Sequence, residues 1–289
     1  MNFIAILKYQ LILFRTAVMF LTRIPVGKNL PYSTAHLQSA ARYFSWVGIL
    51  VGLIGALVLV IVNLYFSSAL SIALAMLTTI VLTGAFHEDG LADCCDAFGG
   101  GWSKEKILTI MKDSRLGTYG VIGLIASLSI KYLLLLELCA AFHFPFVGLI
   151  LIAAHSVSRF FAVSIMQTHS YVQDIDISKS KPLADRKLNF KEMTVLLIGT
   201  IIPLLLLYIG IAPNKLNPSG YSLNFTYHTL YLFPLFIVII ILPASIIRYF
   251  AGRFFNKWIG GYTGDCLGAT QQLTEIAFYI GCLLIWRFI

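Results

Sequence analysis

Four carboxylates crowd into one short stretch of a chain that is otherwise largely apolar. The stretch FHEDGLADCCDAFGG, residues 86–100, holds four of the 13 acidic residues: Glu88, Asp89, Asp93 and Asp96. If residues 87–97 are helical, three of these side chains lie within about 60° of one another around the helix axis: Asp89, Asp93 and Asp96. Like charges on one helix face repel each other, so the pattern predicts that a cation lies beside them.

Clustered carboxylate oxygens are the ligands that Mg²⁺ or Mn²⁺ prefers. We therefore predict a divalent metal held by Asp89, Asp93 and Asp96, which would also make these residues catalytic. Glu88 completes the predicted metal-binding set, although it lies about 100° away from Asp89 and would support the ion from behind. The alternative is a solvated acidic face, which is disfavoured because acids beside a bilayer are costly and usually functional.

A second polar segment, IMKDSRLGTYG at 110–120, combines charge with glycine. We predict that four of its residues bind the substrate: Lys112, Asp113, Ser114 and Arg115. Basic side chains beside a metal site suit a polyphosphate, whose developing charge they would neutralise. Asp113 is expected to orient Lys112 or Arg115. The alternative is ordinary basic charge flanking a membrane span, which Asp113 would partly cancel.

A third polar segment, GGYTGDCLGATQQLTE at 260–275, surrounds Asp265 with glycines, which permit close approach of the backbone to a ligand. We predict that Asp265 is catalytic, either as a further metal ligand or as a base. Gln271 lies one helical turn before Glu275 and is expected to contribute to substrate binding. A plain loop followed by a helix start is an equally good explanation of this segment.

One further basic residue lies in a strongly apolar region. Arg159, in AAHSVSRFF, shares a helix face with His155 four residues earlier. Charges within a span should face the interior of the bundle or water. We predict that Arg159 binds a phosphate group, and the alternative is an ion pair that holds the bundle together.

Composition indicates which elements must position these residues. The 289 residues are 58% hydrophobic and 12% charged, whereas soluble domains carry about 25% charged residues. Since a membrane-spanning helix needs roughly 20 apolar residues, we predict an all-α, polytopic membrane helix bundle. The continuous apolar runs argue against a β-barrel. About seven transmembrane helices are predicted, at 43–66, 69–86, 119–142, 145–168, 193–213, 229–247 and 268–288.

We predict a single integral membrane domain over 1–289. Residues 1–24 are expected to form an amphipathic interfacial helix, because Lys8, Arg15 and Arg23 share one of its faces. The site would be assembled from the predicted cytoplasmic loops, which are 87–118, 169–192 and 248–267.

Basic residues indicate the orientation. Seventeen of the 21 Lys and Arg lie in residues 1–42 and in these three loops. This asymmetry predicts a cytoplasmic N-terminus and a site facing the cytoplasm. The net charge of +8 suits anionic headgroups or a phosphate-bearing substrate. No separate basic domain exists, so nucleic acid is not an expected partner. The sequence leaves open whether the chain forms a homo-oligomer.

The three motifs together resemble the signature regions of the cobalamin synthase family, also called adenosylcobinamide-GDP ribazoletransferase. FLTRIPV at 20–26 and YFSWVGILVG at 43–52 are similar to its N-terminal pattern, so the resemblance covers nearly the whole chain in order. It implies a multi-pass enzyme of the cytoplasmic (inner) membrane in late cobalamin biosynthesis. That enzyme joins adenosylcobinamide-GDP to α-ribazole or α-ribazole 5′-phosphate, releases GMP and needs Mg²⁺.

Two other functions are compatible with acidic residues at a membrane edge. A CDP-alcohol phosphotransferase would place Ala-Arg after its Asp-Gly pair, where this chain has Ala92 followed by Asp93. A cation-coupled secondary transporter should carry its acids near the middle of the membrane, whereas these acids gather at the end of a predicted span. Both differences favour the transferase.

Overall fold

The computed structural model describes residues 3–27, 30–31, 33–172, 186–211 and 228–288, which are almost entirely helical. The prediction of an all-α polytopic bundle is confirmed. In chain order the helices are α1 (Phe3–Leu21), α2 (Thr34–Ala40), α3 (Phe44–Asn63), α4 (Ser68–Thr83), α5 (Phe86–Gly100), α6 (Lys104–Met111), α7 (Thr118–Ala141), α8 (Phe144–Thr168), α9 (Phe190–Ile211), α10 (His228–Ile259) and α11 (Gly264–Phe288).

Each of the seven predicted spans corresponds to a helix. Within the described ranges, six stretches are long and apolar enough to cross a membrane: Ile4–Leu21, Thr34–Asn63, Thr118–Ala141, Phe144–Thr168, Phe190–Gly210 and Pro234–Ile259. Helices α4 and α5 meet the same criterion only as a bent pair. Helix α11 covers the last predicted span but is more polar than these six. Because α1 also qualifies as a span, its interfacial placement stays a prediction.

Helices α4 and α5 meet at an angle of 87°. Two successive residues with left-handed backbone make this turn, Gly84 at φ 67° and Ala85 at φ 57°. Glycine adopts this conformation without steric cost, whereas alanine does so at a cost of roughly 1–2 kcal/mol. The turn directs α5 away from the direction of α4.

Helix α8 is the centre of the bundle. Its membrane-spanning stretch is 83% buried, against 22% for the corresponding stretches of α7 and α10. Gly48 and Gly52 let α3 approach α8 backbone to backbone. A β-carbon at Gly48 would lie 2.3 Å from the carbonyl oxygen of His155. Small residues at such contacts are typical of helix packing in membranes.

Helix α10 extends beyond its predicted span of 229–247. It continues to Ile259, so the first part of the predicted loop 248–267 is helical. No proline interrupts this part, and the helix ends where Gly260 takes a φ of 79°. With 32 residues, α10 is about 48 Å long and exceeds the roughly 30 Å of the hydrocarbon core. Near its C-terminal end, Phe254 packs against Phe98 of α5, with ring centroids 4.9 Å apart.

The predicted loop 169–192 is only partly within the described residues. Tyr171 pairs with Tyr262 in an isolated bridge, and Tyr262 donates a backbone hydrogen bond to Ser170, 2.9 Å long. These contacts fix the start of this loop to the segment before α11. Residues 173–185, and the outer connection 212–227, lie outside the described residues.

Candidate active site

The acidic stretch forms helix α5 over its whole length, which confirms the predicted helix at 87–97. Asp89 is exposed, and Asp93 and Asp96 are partly buried. The opposite side of α5 packs into the protein through Leu91 and Cys94. The three aspartates therefore share the outer side of a helix whose inner side is fixed by packing.

Asp265 is brought to this helix by two glycines. Gly90 of α5 and Gly268 of α11 lie where the two helices cross. A β-carbon on Gly90 would lie 3.0 Å from the backbone oxygen of Asp265, and one on Gly268 would lie 3.1 Å from that of His87. The glycines thus allow two helices to approach closely and place Asp265 beside the aspartates of α5.

The pKa values of Asp93 and Asp265 are both raised, in part because the carboxylates of the two helices lie close together. Both groups lie outside the predicted spans, on α5 and in the first turn of α11. Burial raises the pKa of Asp93 to about 7, and the neighbouring Asp265, Asp89 and Asp96 add to the rise in pKa. Burial also raises the pKa of Asp265 to about 6, to which the Asp89 carboxylate contributes. Negative charge is therefore costly here, and a cation would relieve that cost.

The carboxylates at this helix crossing suit a hard divalent cation that is also coordinated by the substrate of the enzyme. Within the described ranges, no three His, Cys, Asp or Glu side chains are gathered closely enough to hold one ion. Mg²⁺ is usually held by only one or two carboxylates, with water and substrate phosphates completing its octahedral shell. Asp89 and Asp93, with Asp265 opposite, fit that role.

Asp96 has partners that the sequence did not predict. Its two carboxylate oxygens accept hydrogen bonds from the backbone nitrogens of Gly117, at 2.7 Å, and Gly120, at 2.8 Å. These nitrogens belong to the start of α7, so Asp96 caps that helix from α5. Its predicted role as a metal ligand remains a prediction.

The predicted phosphate-binding loop joins α6 to α7. Lys112, Ser114 and Arg115 are exposed in it. Arg115 donates to both oxygens of Asp113, at 3.0 and 3.1 Å from Nε. These hydrogen bonds lower the pKa of Asp113 to about 2. Asp113 therefore orients Arg115, one of the two partners predicted for it.

Two predicted substrate-binding residues lie inside the bundle. Arg159 is 2% exposed and Gln271 is 1% exposed. Arg159 donates from Nη1 to the backbone oxygen of His155, at 2.9 Å. Gln271 donates to Ser158, at 3.0 Å, and to Glu275, at 2.7 Å. Both side chains are therefore buried and hydrogen-bonded within the bundle, and their contact with substrate stays a prediction.

Glu275 is the hub of this internal network. Lys131 of α7 forms an ion pair with it at 3.1 Å, and the Tyr279 hydroxyl donates to it at 3.1 Å. The Nδ1 atom of His155 lies 3.6 Å away. The network thereby joins α7, α8 and α11 within the membrane.

Glu88 belongs to the network rather than to the aspartate face. It is 9% exposed and accepts a hydrogen bond from Gln272 at 2.9 Å. Gln272, which the sequence analysis did not single out, also donates to Gln271 at 2.8 Å. The adjacent pair Gln271 and Gln272, near the start of the predicted span 268–288, was the sequence feature that could have indicated this buried network.

Carboxylates from two crossing helices lie beside a basic loop in a bundle of apolar helices. This combination is typical of integral membrane enzymes that transfer phosphorus-containing groups. The chain belongs to the cobalamin-5-phosphate synthase family, whose model matches residues 13–283. No solved structure matches the chain significantly.

Curated relatives agree with this membership over nearly the full length. The chain is 42% identical over 276 residues to an adenosylcobinamide-GDP ribazoletransferase of Shewanella pealeana, covering 96% of each chain. It is 44% identical over 276 residues to one of Vibrio cholerae, covering 96% of this chain and 95% of the relative. A Vibrio parahaemolyticus protein of the same name is 39% identical over 283 residues, covering 98% and 96%.

Proposed function

We propose that this chain joins adenosylcobinamide-GDP to α-ribazole or α-ribazole 5′-phosphate, with release of GMP, in a Mg²⁺-dependent reaction. The product is adenosylcobalamin or its 5′-phosphate. The observation that carries the proposal is the meeting of Asp93 and Asp265 at the crossing of α5 and α11. The family membership names the reaction, and these carboxylates supply chemistry suited to a diphosphate.

The reaction is a displacement at phosphorus. The ribazole hydroxyl attacks the phosphorus that carries the cobinamide, and the bond from that phosphorus to the bridging oxygen breaks. The electron pair of that bond leaves with GMP. Such a displacement depends on in-line positioning and on charge neutralisation more than on covalent catalysis.

The proton of the attacking hydroxyl needs an acceptor. Asp265 suits this role because its pKa is raised to about 6, close to the operating pH at which a general base is most effective. Its backbone is held against α5 by the glycine contact, so the position of this base depends on helix packing. Asp93 and Asp89 are then left to hold the metal.

The bound Mg²⁺ would neutralise charge on the diphosphate and on the leaving phosphate. Asp89 and Asp93 are the residues proposed to hold it. Lys112 and Arg115 are proposed to contact the diphosphate from the loop before α7, with Ser114 between them. Their exposure leaves them accessible to a large substrate that arrives from water.

We place the chain in the cytoplasmic (inner) membrane with this site on the cytoplasmic side. The support is the basic-residue asymmetry, together with the location of α5, α6 and the loop at 112–117 in one connection between spans. Soluble nucleotide-bearing substrates would reach the site from that side.

Purified protein in nanodiscs tests the proposal. With adenosylcobinamide-GDP, α-ribazole and Mg²⁺, it should form the cobalamin product and GMP in equal amounts. Chelation of the metal should stop both. Since nanodiscs enclose no compartment, turnover there cannot be transport. Absence of GMP and product from well-folded protein would overturn the proposed function.

A further inference from the structure

We propose that Asp96 is a positioning residue, which ties the acidic helix to the phosphate-binding loop, and that it does not bind the metal. The inference rests on the proposed function for the role of the loop. The two hydrogen bonds from Gly117 and Gly120 to Asp96, called the tie below, do not depend on that function.

Both oxygens of the Asp96 carboxylate are engaged by the backbone. Gly117 donates to one oxygen at 2.7 Å and Gly120 to the other at 2.8 Å. The first nitrogens of a helix have no partner within it, so a carboxylate there satisfies them and also complements the helix dipole. Asp96 supplies this cap from another helix, 21 residues earlier in the chain.

Glycine at the two donor positions makes the contact possible. A β-carbon at Gly117 would lie 2.4 Å from Oδ1 of Asp96, and one at Gly120 would lie 2.3 Å from Oδ2. Neither glycine has a positive φ, so a side chain at either position would displace the Asp96 carboxylate rather than strain the backbone.

The tie joins the two parts of the proposed site. Asp93 lies about one turn before Asp96 on α5, and Asp89 lies about two turns before it. Lys112 and Arg115 lie in the loop that ends at Gly117. Because Gly117 is bonded to Asp96, the loop cannot move relative to the metal-binding face without breaking this contact. Asp96 thereby fixes the distance between the phosphate-binding side chains and the metal.

The test changes each partner of the contact between Asp96 and Gly117. It compares the effects with that of changing Asp93, a proposed metal ligand. Asp96→Asn and Gly117→Ala should each raise the KM for adenosylcobinamide-GDP about tenfold, as expected for loss of one cap. Both should leave the Mg²⁺ concentration for half-maximal rate unchanged. Asp93→Asn should instead alter the Mg²⁺ dependence. Gly100→Ala on the same helix, where a β-carbon meets only Ile110 at 3.4 Å, is the control.

A double-mutant cycle provides the decisive comparison. In an Asp96→Ala background the clash disappears, so Gly117→Ala should add less than twofold to KM. The inference is overturned if Asp96→Asn weakens Mg²⁺ activation as Asp93→Asn does, or if Gly117→Ala has no effect on KM.

The two proposals can fail separately. If the wild-type protein proves inactive, hydrogen exchange of residues 112–120 still tests the tie. Exchange there should be faster in Asp96→Asn than in wild type. Unchanged exchange would overturn the tie whatever reaction the protein catalyses.

Discussion

Asp89 and Asp93 are one helical turn apart on the outer side of α5, and Asp93 has a raised pKa because of burial and neighbouring carboxylates. We predict that Asp89→Asn and Asp93→Asn each lower kcat at least a hundredfold, because several kcal/mol of transition-state stabilisation by the metal is lost, about 1.4 kcal/mol for each factor of ten. The measurement is GMP release by protein in nanodiscs.

Neither change should impair folding, because Asp89 is exposed and Asp93→Asn removes a negative charge that burial and neighbouring carboxylates make costly. Membrane insertion should match wild type, and the Tm should not fall. If both variants retain the full Mg²⁺-dependent rate, these aspartates do not hold the metal.

The buried ion pair of Lys131 with Glu275 makes a second residue-scale prediction. Lys131→Met leaves the Glu275 charge without its cation and should destabilise the protein by about 3–5 kcal/mol. Thermal unfolding in detergent would show this as a lower Tm. Glu137→Gln, an exposed position on the same helix, should leave the Tm unchanged. Equal Tm values for the two variants would contradict a stabilising role of the pair.

At the scale of elements, the crossing of α5 and α11 determines the site. Gly90→Ala would place a β-carbon 3.0 Å from the Asp265 backbone oxygen, and we expect this to move the helices apart. Overpacking of this kind costs about 1–3 kcal/mol. Asp265 would be displaced from the aspartates, so kcat should fall by more than the loss of stability alone explains. Both kcat and Tm should be measured.

The Gly100→Ala variant is the matched control for this prediction, because its added methyl group meets only an ordinary contact. Equal activity of the two glycine variants would show that the spacing of the helices does not control the site.

The sequence could predict the spans and the acidic helix because each depends on local pattern. An apolar run of about 20 residues has one stable outcome in a bilayer, and the Asp spacing of four and three matches a helix. It could not predict the 87° bend at Gly84 and Ala85, nor the continuation of α10 to Ile259, because the residues there allow either a helix or a turn.

The local sequence pattern also could not predict which residues the site residues contact. The spacing of Asp89, Asp93 and Asp96 did not indicate that Asp96 contacts two glycines more than 20 residues further along the chain. Gln271 lies buried beside Glu275, and its contact with substrate stays a prediction. Such contacts depend on how helices pack, and spacing within one helix carries no information about its neighbours.

At the scale of the whole molecule, the proposed reaction requires the site to face the cytoplasm. Single-cysteine variants in a cysteine-free background test this. Ser114→Cys should react with a membrane-impermeant maleimide only in inside-out vesicles. Phe66→Cys, in the short connection at the opposite end of α3, should react only in right-side-out vesicles. The same accessibility pattern for both positions would contradict the topology.

The most direct measurement of the central claim uses Mn²⁺ in place of Mg²⁺. Electron–nuclear double resonance on nanodisc protein with adenosylcobinamide-GDP, and without the ribazole acceptor, reports whether the metal lies beside phosphorus. We predict a ³¹P coupling in the wild-type protein that is lost in Asp89→Asn and Asp93→Asn. An unchanged ³¹P coupling in both variants would contradict the claim that these carboxylates hold the metal against the diphosphate.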